Sequence, residues 1–375
     1  MTGANKSLGR TGTVIIGAGI VGCSTAYHLA QRGRSDVTVV DAGPIPKTGG
    51  SSVHAPGGLF QTTPSKLMAN WAQYTRELYT DLGAFDAVGG IEIATTDERM
   101  EFLDRRMDQA TAWGIDGAER LTPAEVQDRI PLVDPDAIRG GFYVPTDGRM
   151  NSVDLLDALR QGAEDGGIEF HEHTTVTDVE TENGAVEAVV TDQGRIACDE
   201  LLVAGNIWAP LFGEMVDVEI PLVPCEHQYA VTDEVDVLSD ASEDVEHPFL
   251  RHQDAAMYFR QHRTGYGIGS YDHEPLLVDP HDIDDREEAM VESPVYDYAP
   301  GRGSHHDPIR MPSTRPFTQE HFGDAWAETV RVLPDLDGAS IEKAYNGMFC
   351  FTPDGMPILG EAPSVDGFWV AAAVW

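Results

Sequence analysis

Two short stretches of this chain carry residue types at spacings that could do chemistry on a nucleotide. Gly17-Ala18-Gly19-Ile20-Val21-Gly22 is a G-x-G-x-x-G turn, and Asp41 follows 24 residues after its first glycine. The turn comes after the β-branched run Thr13 to Ile16 and before a helical pattern from Ile20 to Arg32. Its N–H groups and the helix dipole can therefore hold a pyrophosphate. Asp41 ends the next strand-like run, Val37 to Val40, where a carboxylate accepts hydrogen bonds from ribose hydroxyls and repels the extra phosphate of NADP. Strand, glycine turn, helix, strand and acid in register read as a dinucleotide-binding βαβ unit; the alternative is a glycine turn without a ligand. Further along, Glu226-His227-Gln228-Tyr229 and Met257-Tyr258-Phe259-Arg260-Gln261 offer a proton acceptor and a phenol. A histidine exchanges protons near neutral pH and a tyrosine hydroxyl can orient an amine or carboxylate. Equally, both can be strand residues that satisfy buried hydrogen bonds.

Other segments make these points part of a larger pattern. Gly50-Ser51-Ser52-Val53-His54-Ala55-Pro56-Gly57-Gly58 resembles the G-S-x-x-H-A-x-G loop of the dimethylglycine and sarcosine dehydrogenases, with Val53 where those relatives have tryptophan. Tyr345 to Gly360, reading Y-N-G-M-F-C-F-T-P-D-G-M-P-I-L-G, resembles their N-G-x-x-x-F-T-P-D-G-x-P-x-x-G segment, and Leu201 to Ala209 their apolar strand, glycine turn and W-A. Nearly end to end, the chain resembles the D-amino-acid-oxidase-like superfamily of flavin-dependent amine oxidoreductases.

That resemblance implies FAD held by Gly17, Gly19, Gly22, Asp41, Ser51, Ser52, His54, Gly57, Val176, Gly205, Trp208, Asp354, Gly355 and Pro357. It would make His54 the covalent attachment point to the flavin 8-methyl group, a noncovalent loop contact being the alternative. His227 and Tyr258 would line the active site and act in catalysis. The activity implied is oxidation of an N-methylated amino acid by hydride transfer to flavin N5, leaving an iminium. The same fold serves D-amino acids, glycine, proline and polyol phosphates, and a noncatalytic flavin subunit of a heteromeric complex is a third reading. Partners implied are a small amine, an electron acceptor (an electron-transfer protein or oxygen), and folate through a domain outside this chain. Arg260 and Arg315 are candidates for binding a substrate carboxylate.

The elements that must position these residues follow from length and pattern. At 375 residues the chain exceeds what one core usually supports, so two domains are expected. The fold class is α/β: a Rossmann-like FAD domain from 12–69, 148–220 and 344–375, and a mixed α+β substrate domain on an antiparallel sheet from 70–147 and 221–343. Leu67, Trp71, Tyr74 and Leu78 predict an amphipathic helix over 64–82; further helices are expected over 97–113 and 153–163. Acidic stretches at 233–246 and 279–306 read as solvated excursions.

With 63 acids, 25 bases and only four lysines, the formal charge of −38 excludes a nucleic-acid role and suits a salty cytoplasm. Cys23, Cys198, Cys225 and Cys350 form no C-x-x-C pair, which fits a reduced, cytoplasmic setting. His171-Glu172-His173 and His305-His306 need no metal, and none is expected. No apolar run is long enough for a signal peptide or membrane span. The chain stops at Trp375 in what reads as a buried strand, so a final glycine turn and helix of the family pattern are expected to lie beyond it.

Overall fold

A computed structural model describes residues 6–63, 65–283, 290–291 and 309–374. His305-His306 and most of the second acidic stretch lie outside the described residues. The β-branched runs pair into a sheet in the order Glu169–His171, Val37–Val40, Thr13–Ile16, Glu200–Val203, Phe368–Ala372, Ile358–Glu361. The first five are parallel and the last antiparallel. Thr13–Ile16 and Val37–Val40, inside the sheet, are buried on both faces. Ile15, Val37 and Val39 pack under helices Ile20–Gln31 and Ser152–Asp165, through Ala26, Leu155 and Leu159. Val14, Ile16 and Val203 pack against Val189 and Ile196 of a second sheet formed by Ser7–Arg10, Arg195–Ala197, Ala185–Thr191 and Val176–Glu182. Helix Ile20–Gln31 approaches its strand closely because residue 22 is glycine: a Cβ there would lie 1.8 Å from the Gly17 carbonyl oxygen.

A larger sheet runs Thr314–Arg315, Ile341–Phe351, Val223–Thr232, Gly265–Ser270, Met257–His262, Phe249–His252, Gly90–Ala94, Gly140–Val144, Glu119–Leu121. It is antiparallel except where Phe249–His252 runs parallel to Gly90–Ala94. Period-two alternation sends Ala230, Leu250, Phe259 and Ile268 to one face, where Val332 of helix Gly323–Val332 covers them. The other face carries Tyr229, Arg251 and Tyr258. The expected domain boundary at 344 falls inside Ile341–Phe351, whose whole length pairs with Val223–Thr232.

Helices expected from periodicity form over Lys66–Asp81, Asp97–Ala112 and Ser152–Asp165. The face of the first differs from expectation. Leu67, Trp71 and Tyr74 are exposed (54%, 47% and 52%), whereas Ala69 and Tyr79 are buried. Met68, Trp71, Ala72 and Thr75 instead border a cavity, so the apolar periodicity of this helix serves a ligand-sized space as much as a core.

Candidate functional site

The carboxyl ends of Thr13–Ile16 and Val37–Val40, helix Lys66–Asp81 and one face of the large sheet enclose a cavity of about 1910 Å³. That exceeds the roughly 300–1,000 Å³ of an ordinary small-ligand site and suits an extended dinucleotide.

One end is built by the glycine turn. Gly17, Gly19, Asp41, Val176, Gly205 and Trp208 all line it. The Asp41 carboxylate accepts from Ala18 N–H and Gly43 N–H, each at 2.7 Å. Burial pushes its pKa up to about 6, with those two N–H bonds opposing. Ser52 Oγ accepts from Ile20 N–H at 3.1 Å, tying the histidine loop to the first turn of helix Ile20–Gln31. Ser51 donates to the Met348 carbonyl at 2.7 Å. Gly22 lies off the lining, and its place is the helix–strand contact described above. Asp354 is exposed and accepts from Met356 N–H and the Thr352 hydroxyl, so it shapes its own turn. Gly355 of that turn reaches the cavity; Pro357 does not.

The middle is built around His54, which closes the short helix Ser51–His54 and is 6% exposed. Its ring rests against the backbone of Gly347, where a Cβ would come to 2.7 Å from Cε1. Tyr345 donates its hydroxyl to the His54 carbonyl at 2.8 Å, and Gly57 lines the cavity beyond. His54 Nε2 is buried without a hydrogen-bond partner, and burial lowers the ring's pKa to about 4. The imidazole is therefore neutral at physiological pH.

The sheet face supplies the other end, including both expected catalytic residues. His227 stacks on Phe349 at 4.3 Å between centroids, with Tyr271 edge-on at 4.9 Å. Both of its ring nitrogens are buried and lack partners, and burial, helped by nearby His273, lowers its pKa to about 4. Buried polar atoms are ordinarily bonded, so two orphans on one ring facing a cavity mark a ligand-binding position. Tyr258 shares a hydrogen bond with the Tyr271 hydroxyl, and burial raises its pKa well above the usual value. Its ring crosses Gly269, where a Cβ would lie 2.0 Å from Cζ, to stack on Tyr229 at 6.0 Å.

Tyr271, Arg251 and Glu92 of this face were not singled out in the sequence, and Tyr229, Tyr345 and Phe349 stood in quoted segments without a role of their own; all six line the cavity. Alternation within each strand was the available signal. The two arginines that were singled out lie elsewhere. Arg260, 1% exposed, ion-pairs with Asp244 and donates to the Pro56 carbonyl at 2.7 Å. Arg315 donates to the carbonyls of Pro312, Thr314 and Asp282. Among the described residues no three His, Cys, Asp or Glu side chains are grouped as a metal ion would require. No described helix is long and apolar enough to cross a membrane.

Comparison with known proteins places the same residues in a wider set. The family model described as FAD dependent oxidoreductase, DAO, matches residues 13–374. The mitochondrial dimethylglycine dehydrogenase of Rattus norvegicus is 29% identical over 369 residues, covering 96% of this chain and 40% of that protein. The mitochondrial sarcosine dehydrogenase of Mus musculus is 28% identical, with 95% and 37% covered. The chain thus spans about two fifths of the length of these relatives. Among solved structures, L-proline dehydrogenase from P. horikoshii superposes with a TM-score of 0.79 at 23% identity, covering 97% of this chain and 88% of that one, a likeness of fold.

Proposed function

The chain belongs to the FAD-dependent oxidoreductase family DAO, and from that premise we propose that it oxidises an N-methylated amino acid of the dimethylglycine or sarcosine type, removing the N-methyl carbon. FAD is the cofactor of the family, and the residues present fit it: a glycine turn with an acid at the next strand end, a cavity of about 1910 Å³, and a buried His54 Nε2 with nothing to bond. When bound, the flavin supplies the acceptor for the hydride of the N-methyl carbon. The reading is carried by His227, a neutral imidazole whose two ring nitrogens lack partners, on the lining of an aromatic-walled cavity shared with His54.

The roles of the chain's own groups follow from their environments. A neutral His227 can accept a hydrogen bond from the substrate N–H and so orient an amine whose lone pair is free, as hydride loss from carbon requires. Tyr258 stays protonated, its hydroxyl donating to Tyr271, and its oxygen can accept from a substrate N–H. The ring faces of Tyr229, Tyr271 and Phe349 keep water away and favour the cationic iminium. His54, neutral and with Nε2 unpartnered, would be the residue to hold the flavin through its methyl group.

The test uses purified protein denatured in acid. Yellow colour should stay with the polypeptide and vanish in His54→Ala, and dimethylglycine or sarcosine should bleach the native flavin anaerobically. Flavin released freely from the unmodified chain would sink the attachment, and no bleaching by any N-methylated amino acid would sink the substrate class.

A further inference from the structure

We propose that the chain carries a second small-molecule site, separate from the large cavity, which takes a small protonated amine through its N–H donors. The site is a pocket of about 350 Å³ between the far face of the large sheet and helix Gly323–Val332. That volume lies within the roughly 300–1,000 Å³ of an ordinary small-ligand site. Alternation along the strands keeps it apart from the cavity. Arg251, Tyr258 and Tyr271 line the cavity, whereas their sequence neighbours His252, Met257 and Ser270 line the pocket. The two spaces share no lining residue, and the ion pair of Asp254 with Arg99 at 2.6 Å joins one wall to the other.

Two buried polar side chains on the pocket wall lack partners. His252, 1% exposed, meets Glu328 Oε1 through Nε2 at 2.5 Å, and its Nδ1 is buried without a hydrogen bond. Ser270, also 1% exposed, makes no side-chain hydrogen bond among the described residues. Both line the pocket. Buried polar groups are ordinarily bonded, so two unpartnered ones on the wall of a ligand-sized space point to a ligand there. Glu328 also sets which kind of ligand group His252 can meet. A carboxylate at Nε2 holds the ring proton on that nitrogen, which leaves Nδ1 of the neutral imidazole as an acceptor. What Nδ1 lacks is therefore a donor.

The remaining polar wall is made of acceptors as well. Asp254, Asp272, Asp324 and Glu328 line the pocket, and no lysine or arginine does. Arg99 pairs with Asp254, and Arg331 with Glu328 at 2.6 Å, both from outside the lining. Asp272 and Asp324, both exposed, have no ion pair among the described residues. Carboxylates alone would mark nothing in a chain with 63 acids, and Asp324 also suits the first turn of its helix. Beside an acceptor Nδ1 and an unpartnered hydroxyl, they specify a cation that donates hydrogen bonds. A lone metal ion does not fit, because among the described residues no three His, Cys, Asp or Glu side chains are grouped around one point. A protonated alkylamine does: its N–H groups supply donors to Asp272, Asp324 and His252, and its carbon chain can lie on Met257 and Ala325.

The experiment titrates the flavin-loaded chain with 1,3-diaminopropane by calorimetry in about 1 M KCl, which screens diffuse binding to the acidic surface. The diamine should bind saturably at one site. Its affinity should fall on the order of 10- to 100-fold in the double variant Asp272→Asn/Asp324→Asn, as expected for loss of charge-assisted contacts at two exposed positions that the fold does not need. Tetramethylammonium, which carries the charge without an N–H, should bind on the order of 10-fold more weakly than the diamine. His227→Asn, which alters the large cavity and not the pocket, should leave diamine binding as it is in wild type. The proposal is overturned by the absence of saturable binding, by equal affinity in the Asp272→Asn/Asp324→Asn variant, or by loss of binding in His227→Asn, which would place the amine in the large cavity. Tetramethylammonium binding as tightly as the diamine would overturn it too, since the acceptors of the wall would then have no part in recognition.

Discussion

A single methyl group at residue 347 should disturb His54 more than most changes to the loop that carries it. Gly347 sits in the interior of Ile341–Phe351, paired to His227 on one side and Thr314 on the other, so its backbone has little room to yield. A Cβ there would lie 2.7 Å from His54 Cε1 and 2.8 Å from Nδ1, where ordinary contact begins at 3.4 Å. The ring would have to retreat by about 0.7 Å. Its own loop is pinned by the Tyr345 hydroxyl and by fully buried Val53, and overpacking of this kind costs about 1–3 kcal/mol. A displacement near 1 Å at a reacting group can cost about 100-fold in rate. Gly347→Ala should therefore lower both stability and the share of protein that keeps yellow colour after acid treatment. The decisive assay is urea unfolding of the flavin-free wild type, Gly347→Ala, His54→Ala and the double variant. The methyl should cost about 1–3 kcal/mol beside the native His54 ring but less than about 0.5 kcal/mol in the His54→Ala background, because it then fills space the ring has left. Additive costs across the cycle would refute the packing of His54 on Gly347.

Two further perturbations test the groups around this centre. Arg260→Gln leaves Asp244 with Arg149 at 3.0 Å as its remaining ion pair and releases the Pro56 carbonyl beside His54; it should cost about 3 kcal/mol in urea unfolding, and a cost below about 1 kcal/mol would show the pair to be dispensable. The His227 pKa is lowered to about 4 in the folded chain and returns to about 6.5 on unfolding, so its contribution is full above pH 6.5 and lost as pH falls towards 4. Between pH 7 and 4.5 the flavin-free wild type should therefore lose about 2 kcal/mol more than His227→Asn, and parallel pH profiles would mean that the imidazole is solvated.

Some of this was legible in the chain because the physics is local. The βαβ unit needs only glycines that let a helix approach, β-branched runs that pair, and an acid at a strand end; all fall within thirty residues, and Gly17, Gly19 and Asp41 line the cavity as their spacing implies. Helix Lys66–Asp81 was legible as a helix but not in its orientation. A 3-4-7 stripe shows which residues share a face and not whether that face meets a core or a cavity; Leu67 and Tyr74 prove exposed while Trp71 borders the cavity. The strand at 341–351 likewise reads as a strand, yet the sheet it joins depends on pairing partners more than a hundred residues away.

The substrate end was the least legible part because it is made of register. Tyr258, Arg251 and Glu92 come from three strands spread between residues 90 and 262, and nothing local says that they meet. Arg260 looked eligible because arginine commonly binds carboxylates, and within one strand period two does put it on the same face as Tyr258. Asp244 and the Pro56 carbonyl instead hold it at 1% exposure. On the neighbouring strand Arg251 lines the cavity, 3.8 Å from Glu92 and over the Phe60 ring, flanked by Leu250 and His252, both buried. A slip of one residue in the pairing of Phe249–His252 with Gly90–Ala94 would turn Arg251 towards the apolar layer under helix Gly323–Val332, and a leucine or histidine would stand beside Tyr258 in its place. The parallel pairing of Phe249–His252 with Gly90–Ala94 therefore decides whether Arg251 joins Arg99 and Arg106 on the cavity wall, so part of the charge at this end of the cavity is a property of strand register rather than of any motif.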